Sequence, residues 1–104
     1  MAETVNIIGA GIGGLTTALT LKQKGLNVNI FESSVEIKPV GAGIILANNA
    51  MQVFQKLGIQ NQIEKAGNKI SYMKITDTQL NTISVADLTQ KEKKYGVHNI
   101  AIHR

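Results

Sequence analysis

The chain has 104 residues, of which 43% are hydrophobic and 17% charged, and a formal net charge of +4 at pH 7. That length holds one domain at most and can bury a core without a staple, while the absence of cysteine excludes a disulfide framework, a thiolate metal site and a cysteine nucleophile and fits a cytoplasmic setting. The start carries neither a basic n-region nor an apolar span of about 18 residues, so no signal peptide or membrane helix is expected, and scattered lysines with a single arginine and no interleaved aromatics argue against a nucleic-acid partner.

In chain order, residues 4–8 (TVNII) read as a short buried strand and 27–31 (NVNIF) as a second, both rich in β-branched or aromatic side chains. A helix is predicted between them from Ile12 to Lys24. Leu15, Ala18, Leu19 and Leu21 fall at helical spacing, basic residues crowd the last turn, and Gly25 follows as a cap. Strand, helix and strand within about 28 residues make a βαβ unit with parallel strands and a right-handed crossover, hence a Rossmann-like α/β fold.

Beyond Glu32 the pattern loosens through SSVEIKPV, where Pro39 rules out helix, into GAGIIL at 41–46, a loop leading to a short apolar segment. Asn48 or Asn49 is expected to cap a helix over AMQVFQKL, with Ala50, Phe54 and Leu57 on one face and Gly58 ending it. A shorter helix is expected from Gln60 to Ala66, stopping at Gly67. Residues 69–88 predict two strands around a turn near Asp77, because Met73 and Ile75, then Ile83 and Val85, alternate with polar neighbours. TQKEKKYG reads as a polar loop with a solvated KEKK charge run at 91–94, and VHNIAIHR as an apolar run.

Four of the ten glycines, Gly9, Gly11, Gly13 and Gly14, lie within six residues. That density does not suit a helix or strand interior, where each glycine costs about 0.5–1 kcal/mol relative to alanine. In a GxGxxG turn Gly9 permits the sharp bend off the first strand, Gly11 lets backbone approach a pyrophosphate, and Gly14 lets the helix pack closely on the strands. The free amides of the helix start, with their partial positive charge, then face the anion. Glu32 ends the second strand, where a carboxylate can accept hydrogen bonds from the ribose hydroxyls of an adenosine and would repel a 2′-phosphate, disfavouring NADP in this site. The spacing leaves FAD and NAD both open.

The run VNIIGAGIGGLTTALTLKQKGLNVNIFESSVEIKPVGAGIILANNAMQVFQKLGI, residues 5–59, resembles the N-terminal part of the FAD-dependent aromatic-ring hydroxylases, single-component flavoprotein monooxygenases of the 4-hydroxybenzoate and salicylate hydroxylase type. After the fingerprint come a loop with a basic residue (Lys38), a GAGI segment (Gly41 to Ile44), the Asn49-Ala50 pair and a helix ending in Leu57-Gly58. The resemblance implies that residues 1–104 form the N-terminal part of an FAD-binding domain, with 69–88 a hairpin excursion toward a substrate domain. It implies a cofactor site of Gly9, Gly11, Ile12, Gly13, Gly14, Glu32, Ser33, Lys38 and Arg104, with no catalytic residue and no metal ligand in this stretch. Lys38 stands where the family often has arginine, which would turn a bidentate contact into a single-point one, and it reads equally as a solvated loop lysine. Arg104, in IHR, would lie near the flavin or its pyrophosphate. His98 and His103 read as ordinary core or surface histidines, and the scattered acids form no acid–base pair.

The implied activity is hydroxylation of a small aromatic substrate with O2, FAD as cofactor and NAD(P)H as electron donor. Family members are several times longer, so the resemblance also implies a fragment that binds FAD weakly or not at all by itself and self-associates through open sheet edges. Two alternatives remain: a different FAD- or NAD-dependent oxidoreductase, against which the GAGI…NNA block argues, and a non-catalytic dinucleotide-binding module.

Overall fold

A computed structural model describes residues 3–39 and 41–103. The chain divides between Lys38 and Pro39 into two compact units.

In the first unit β1 (Thr4–Ile8) and β2 (Asn27–Phe31) pair in parallel, in register from Thr4 opposite Asn27 to Ile8 opposite Phe31. The ladder is tied at both ends, by the Asn27 N–H donating to Glu3 O (3.0 Å) and the Gly9 N–H donating to Phe31 O (2.7 Å). Opposite residues Asn6 and Asn29 add a side-chain bond of 3.1 Å. The crossover is α1 (Ile12–Gln23), one residue shorter than expected. It closes by a Schellman pattern, in which Gly25 (φ +83°) donates to Lys22 O and Leu26 donates to Leu21 O. Within it the hydroxyls of Thr16, Thr17 and Thr20 donate back to the carbonyls four residues earlier. Ala18, the small residue facing the strands, is the buried apolar side chain here among the described residues, while Ile8, Phe31, Val35 and Ile37 are exposed.

The second unit is built on a three-stranded antiparallel sheet of β3 (Gly43–Leu46), β7 (Asn99–His103) and β4 (Asn68–Ile70), with β7 in the middle. The helices α2 (Asn48–Lys56) and α3 (Gln60–Ala66) follow β3. Met51, Phe54, Val97 and Ile100 form the core, with Leu46, Ala50, Leu57, Ile59, Ile63 and Ile102 packed around them. The expected face of Ala50, Phe54 and Leu57 therefore points inward, and Gly58 ends the helix at φ +79°. The hairpin is β5 (Tyr72–Thr76) with β6 (Thr82–Asp87), antiparallel with a register shift between Ile75 and Thr76. Its turn is held by Asp77, whose carboxylate accepts from the N–H groups of Gln79 and Asn81.

Four expectations are corrected. The strands β1 and β2, expected to be buried, are exposed or half-buried along their whole length. Neither Asn48 nor Asn49 caps α2: the N-cap is Ala47, and Asn48 lies inside the helix with its N–H donating to Asn99 Oδ1 (2.9 Å) and its side-chain amide donating to Val97 O (3.2 Å). A side chain from β7 thus does the capping, which local sequence cannot reveal. Lys69 and Ile70, expected in the hairpin, belong instead to β4 (Asn68–Ile70), because that segment pairs with β7. The expected polar loop is a helix, α4 (Thr89–Tyr95). Its sequence lacks an apolar stripe, but Asp87 accepts from the Thr89 N–H at one end, Gly96 (φ +70°) closes the other, and Glu92 is buried beside Lys69 of β4.

Candidate functional site

The turn after β1 is set by backbone rather than by crowding. Gly9 has φ +99°, a conformation that favours glycine, yet a Cβ there would meet nothing within 4 Å. Gly14 is the opposite case: a Cβ on it would lie 2.1 Å from Gly9 O and 3.4 Å from Ile7 Cγ2, so only glycine lets α1 sit this close to the end of β1. Gly11 is the N-cap, with φ −74° and ψ −176°, and accepts the first helical hydrogen bond from Leu15 N–H at 2.9 Å. The amides of Ile12, Gly13 and Gly14 therefore lie in the first turn, where no i−4 carbonyl is available to them.

No acid stands in that first turn to neutralise the partial positive charge, and no side chain caps it. A Cβ at Gly11 or Gly13 would meet nothing within 4 Å. Since the chain itself has no steric need for glycine at those two positions, the open backbone there suits the close approach of an anion. These residues fit a diphosphate.

Glu32, directly after β2, comes to the same turn. Its Oε1 accepts from the Ala10 N–H (2.9 Å) and its Oε2 from the Ser34 N–H (2.7 Å), with the Ser33 hydroxyl at 3.5 Å. The Ala10 amide first, then the Ser34 amide, hold the Glu32 carboxyl below its ordinary range, because each bond favours the charged form. The carboxylate is exposed and retains acceptor capacity for a hydroxyl, since its two oxygens offer about four lone-pair directions.

Of the residues singled out in the sequence, Gly9, Gly11, Ile12, Gly13, Gly14, Glu32 and Ser33 are thus gathered at one turn. Lys38 pairs instead with Glu36 Oε2 at 3.4 Å, both exposed. Arg104 lies outside the described residues. Sequence reasoning missed the Ala10 and Ser34 amides. The Ser34 contact is local to the residues after Glu32, but the Ala10 contact depends on the β1–β2 register, which no short pattern carries.

In the second unit, an open groove of about 220 Å³ runs along β3 and β7, with Ala66 and Asn68 at its side. Glu92 Oε2 lies 3.2 Å from Lys69 Nζ and 3.3 Å from His98 Nδ1. Among the described residues no group of three or more His, Asp or Glu side chains could hold a metal ion, and no helix is long and apolar enough to cross a membrane.

Residues 2–100 match the family described as FAD binding domain. The chain is 37% identical over 101 residues to the aurachin C monooxygenase/isomerase of Stigmatella aurantiaca, covering 97% of this chain and 26% of that protein. It is 31% identical over 104 residues to the 6-hydroxynicotinate 3-monooxygenase of Pseudomonas fluorescens, covering 96% and 26%. Among solved structures it superposes on Klebsiella pneumoniae HpxO complexed with FAD and uric acid with a TM-score of 0.83 at 28% identity, covering 98% of this chain and 26% of that one. The chain spans about a quarter of the length of these relatives.

Proposed function

The chain belongs to the FAD binding domain family, and from that premise we propose that its glycine turn grips the diphosphate of FAD in a flavoprotein monooxygenase acting on a small aromatic or heterocyclic substrate. The observation that carries the reading is the pairing of free α1 amides, open at Gly11 and Gly13, with a carboxylate at the end of β2. In this proposal the first-turn amides of Ile12, Gly13 and Gly14 bind phosphate oxygens, and the Glu32 carboxylate accepts from the adenosine ribose while Ser33 supports it. Gly9 and Gly14 shape the turn. Lys38 and Arg104 are secondary contacts, Lys38 after release from Glu36. Residues 1–104 then form the N-terminal part of the FAD-binding domain, with the β5–β6 hairpin (residues 72–87) directed to a substrate domain.

When bound, FAD supplies the redox chemistry, accepting electrons from NAD(P)H and using O2; this chain's residues bind and orient it. Relatives named for urate hydroxylation and 6-hydroxynicotinate 3-monooxygenation support the substrate class. A cytoplasmic location is part of the reading, supported by the lack of cysteine. So is self-association of the isolated chain, supported by the exposed Ile8, Phe31 and Ile37 and checked by light scattering.

The test is to purify the protein that carries this chain and record its visible spectrum and NAD(P)H consumption. Bound flavin, with consumption that requires oxygen and rises with a small aromatic compound, is the expected result. A colourless protein that binds NAD overturns the proposal.

A further inference from the structure

We infer that Glu32 is also a positioning residue, a strap that holds the glycine turn in its binding shape before any ligand arrives. This rests on the dinucleotide reading for its purpose but on separate observations for its geometry. The turn joining β1 to α1 has little else to fix it. Gly9, Gly11 and Gly13 contribute no side chains, a Cβ at any of the three would touch nothing, and no side chain caps the helix. Glycine gives such a turn more accessible conformations than any other residue.

Against that freedom stand the Gly9 N–H bond to Phe31 O (2.7 Å), which anchors its first residue, and the packing of Gly14 on the Gly9 carbonyl, which anchors its last. Ala10 lies between the anchors. Its N–H donates to Glu32 Oε1 at 2.9 Å, across 22 positions of sequence, while Oε2 is steadied by the Ser34 N–H at 2.7 Å. A donor to a carboxylate forms a charge-assisted bond, stronger than one between neutral groups. The carboxylate thus does for the middle of the turn what strand pairing does for its start. Because a carboxylate oxygen can accept more than one donor, Glu32 can take a ribose hydroxyl without releasing Ala10. The same residue would then preorganise the turn and contact the ligand, which reduces the ordering cost of binding.

The experiment is amide hydrogen exchange on the flavin-free form of the full-length protein that carries this chain, together with FAD titration of the same protein. Glu32→Ala is expected to speed exchange at Ala10 several-fold while Asn27, bonded to Glu3 O in the strand ladder, keeps its protection. Glu32→Gln retains one carbonyl acceptor and presents an NH2 donor in place of the other, so it should restore protection at only one of Ala10 and Ser34. Unchanged Ala10 exchange in Glu32→Ala overturns the strap, even if FAD affinity falls, and leaves the ribose contact standing. Faster Ala10 exchange with unchanged FAD affinity keeps the strap and removes the ribose contact. Should Glu32→Ala unfold the unit and expose Asn27 as well, the unmodified chain decides. Its Ala10 and Ser34 amide resonances should shift together as Glu32 is protonated, and two amides that do not follow that titration overturn the inference.

Discussion

Gly14→Ala is the substitution that tests the helix–strand packing most directly. A Cβ on Gly14 would lie 2.1 Å from Gly9 O and 3.2 Å from Gly9 C, and both are backbone atoms that cannot rotate away. Reaching ordinary contact at 3.4 Å requires α1 to back off from the end of β1 by roughly 1.3 Å, which is an overpacking change of the kind that costs about 1–3 kcal/mol. Replacing glycine by alanine in a helix works in the other direction by about 1 kcal/mol. The clash is larger, so a net loss of roughly 0–2 kcal/mol is expected. Gly13→Ala is the control, because it has the same propensity gain with nothing within 4 Å of the new Cβ, and it should be neutral or stabilising by up to about 1 kcal/mol. The assay is hydrogen exchange at the Gly9 and Asn27 amides, which close the two ends of the β1–β2 ladder, read in both variants. Protection should fall in Gly14→Ala and hold or rise in Gly13→Ala. A Gly14→Ala chain at least as protected as Gly13→Ala would refute the packing argument.

Gly11→Ala separates what the chain needs from what a ligand needs: with φ −74° and an empty Cβ position, unfolding should be unchanged, whereas FAD affinity of the full-length protein should fall at least tenfold, read by flavin fluorescence. Met51→Ala removes a side chain with no exposed surface from the centre of the second unit and should cost about 2–5 kcal/mol in urea unfolding. The Asp77 carboxyl is held below its ordinary range, first by the Asn81 amide. Its folded pKa being depressed, the bonds that shape the hairpin turn are present above the usual aspartate range and lost as pH falls through the lowered value, so the Gln79 and Asn81 amides should lose protection together on acidification. Asp77→Asn should remove that pH dependence.

The elements that were legible share a feature: their determinants lie within a turn or two of the residues they shape. The end of α2 at Gly58 and the bend at Gly9 follow from glycine at positive φ, and β1, α1 and β2 from short apolar runs and a basic last turn. What escaped depends on distant partners. Asn99 caps α2 from 51 residues away, the buried Glu92 lies within ion-pair distance of Lys69 and His98, and residues 68–70 become a strand because β7 passes beside them. Composition misled at α4, where a polar lysine-rich stretch satisfies its ends through Asp87 and Gly96 and needs no apolar stripe. At the candidate site the glycine spacing carried the turn, but the distribution of its amides did not: nothing in GAGIGG says that Ala10 points to Glu32.

That distribution also explains how so little burial can support so defined a turn. Parallel strands ordinarily have both faces covered, yet in the first unit Ala18 is the buried apolar residue among those described and Ile8, Phe31, Val35 and Ile37 remain exposed. Within this chain the turn is held by directional bonds, Gly9 to Phe31, Ala10 to Glu32 and Leu15 to Gly11, together with the close packing of Gly14. Directional bonds at an exposed site add little net stability but fix geometry. Ligand binding is linked to stability in such a unit: an FAD that engages the α1 amides and Glu32 only in the folded state adds its binding free energy to folding, by about 2.7 kcal/mol at a concentration a hundred times Kd. FAD added to the full-length protein that carries this chain is expected to raise protection at Gly9, Ala10 and Asn27 together, and an unchanged exchange at all three would contradict the linkage.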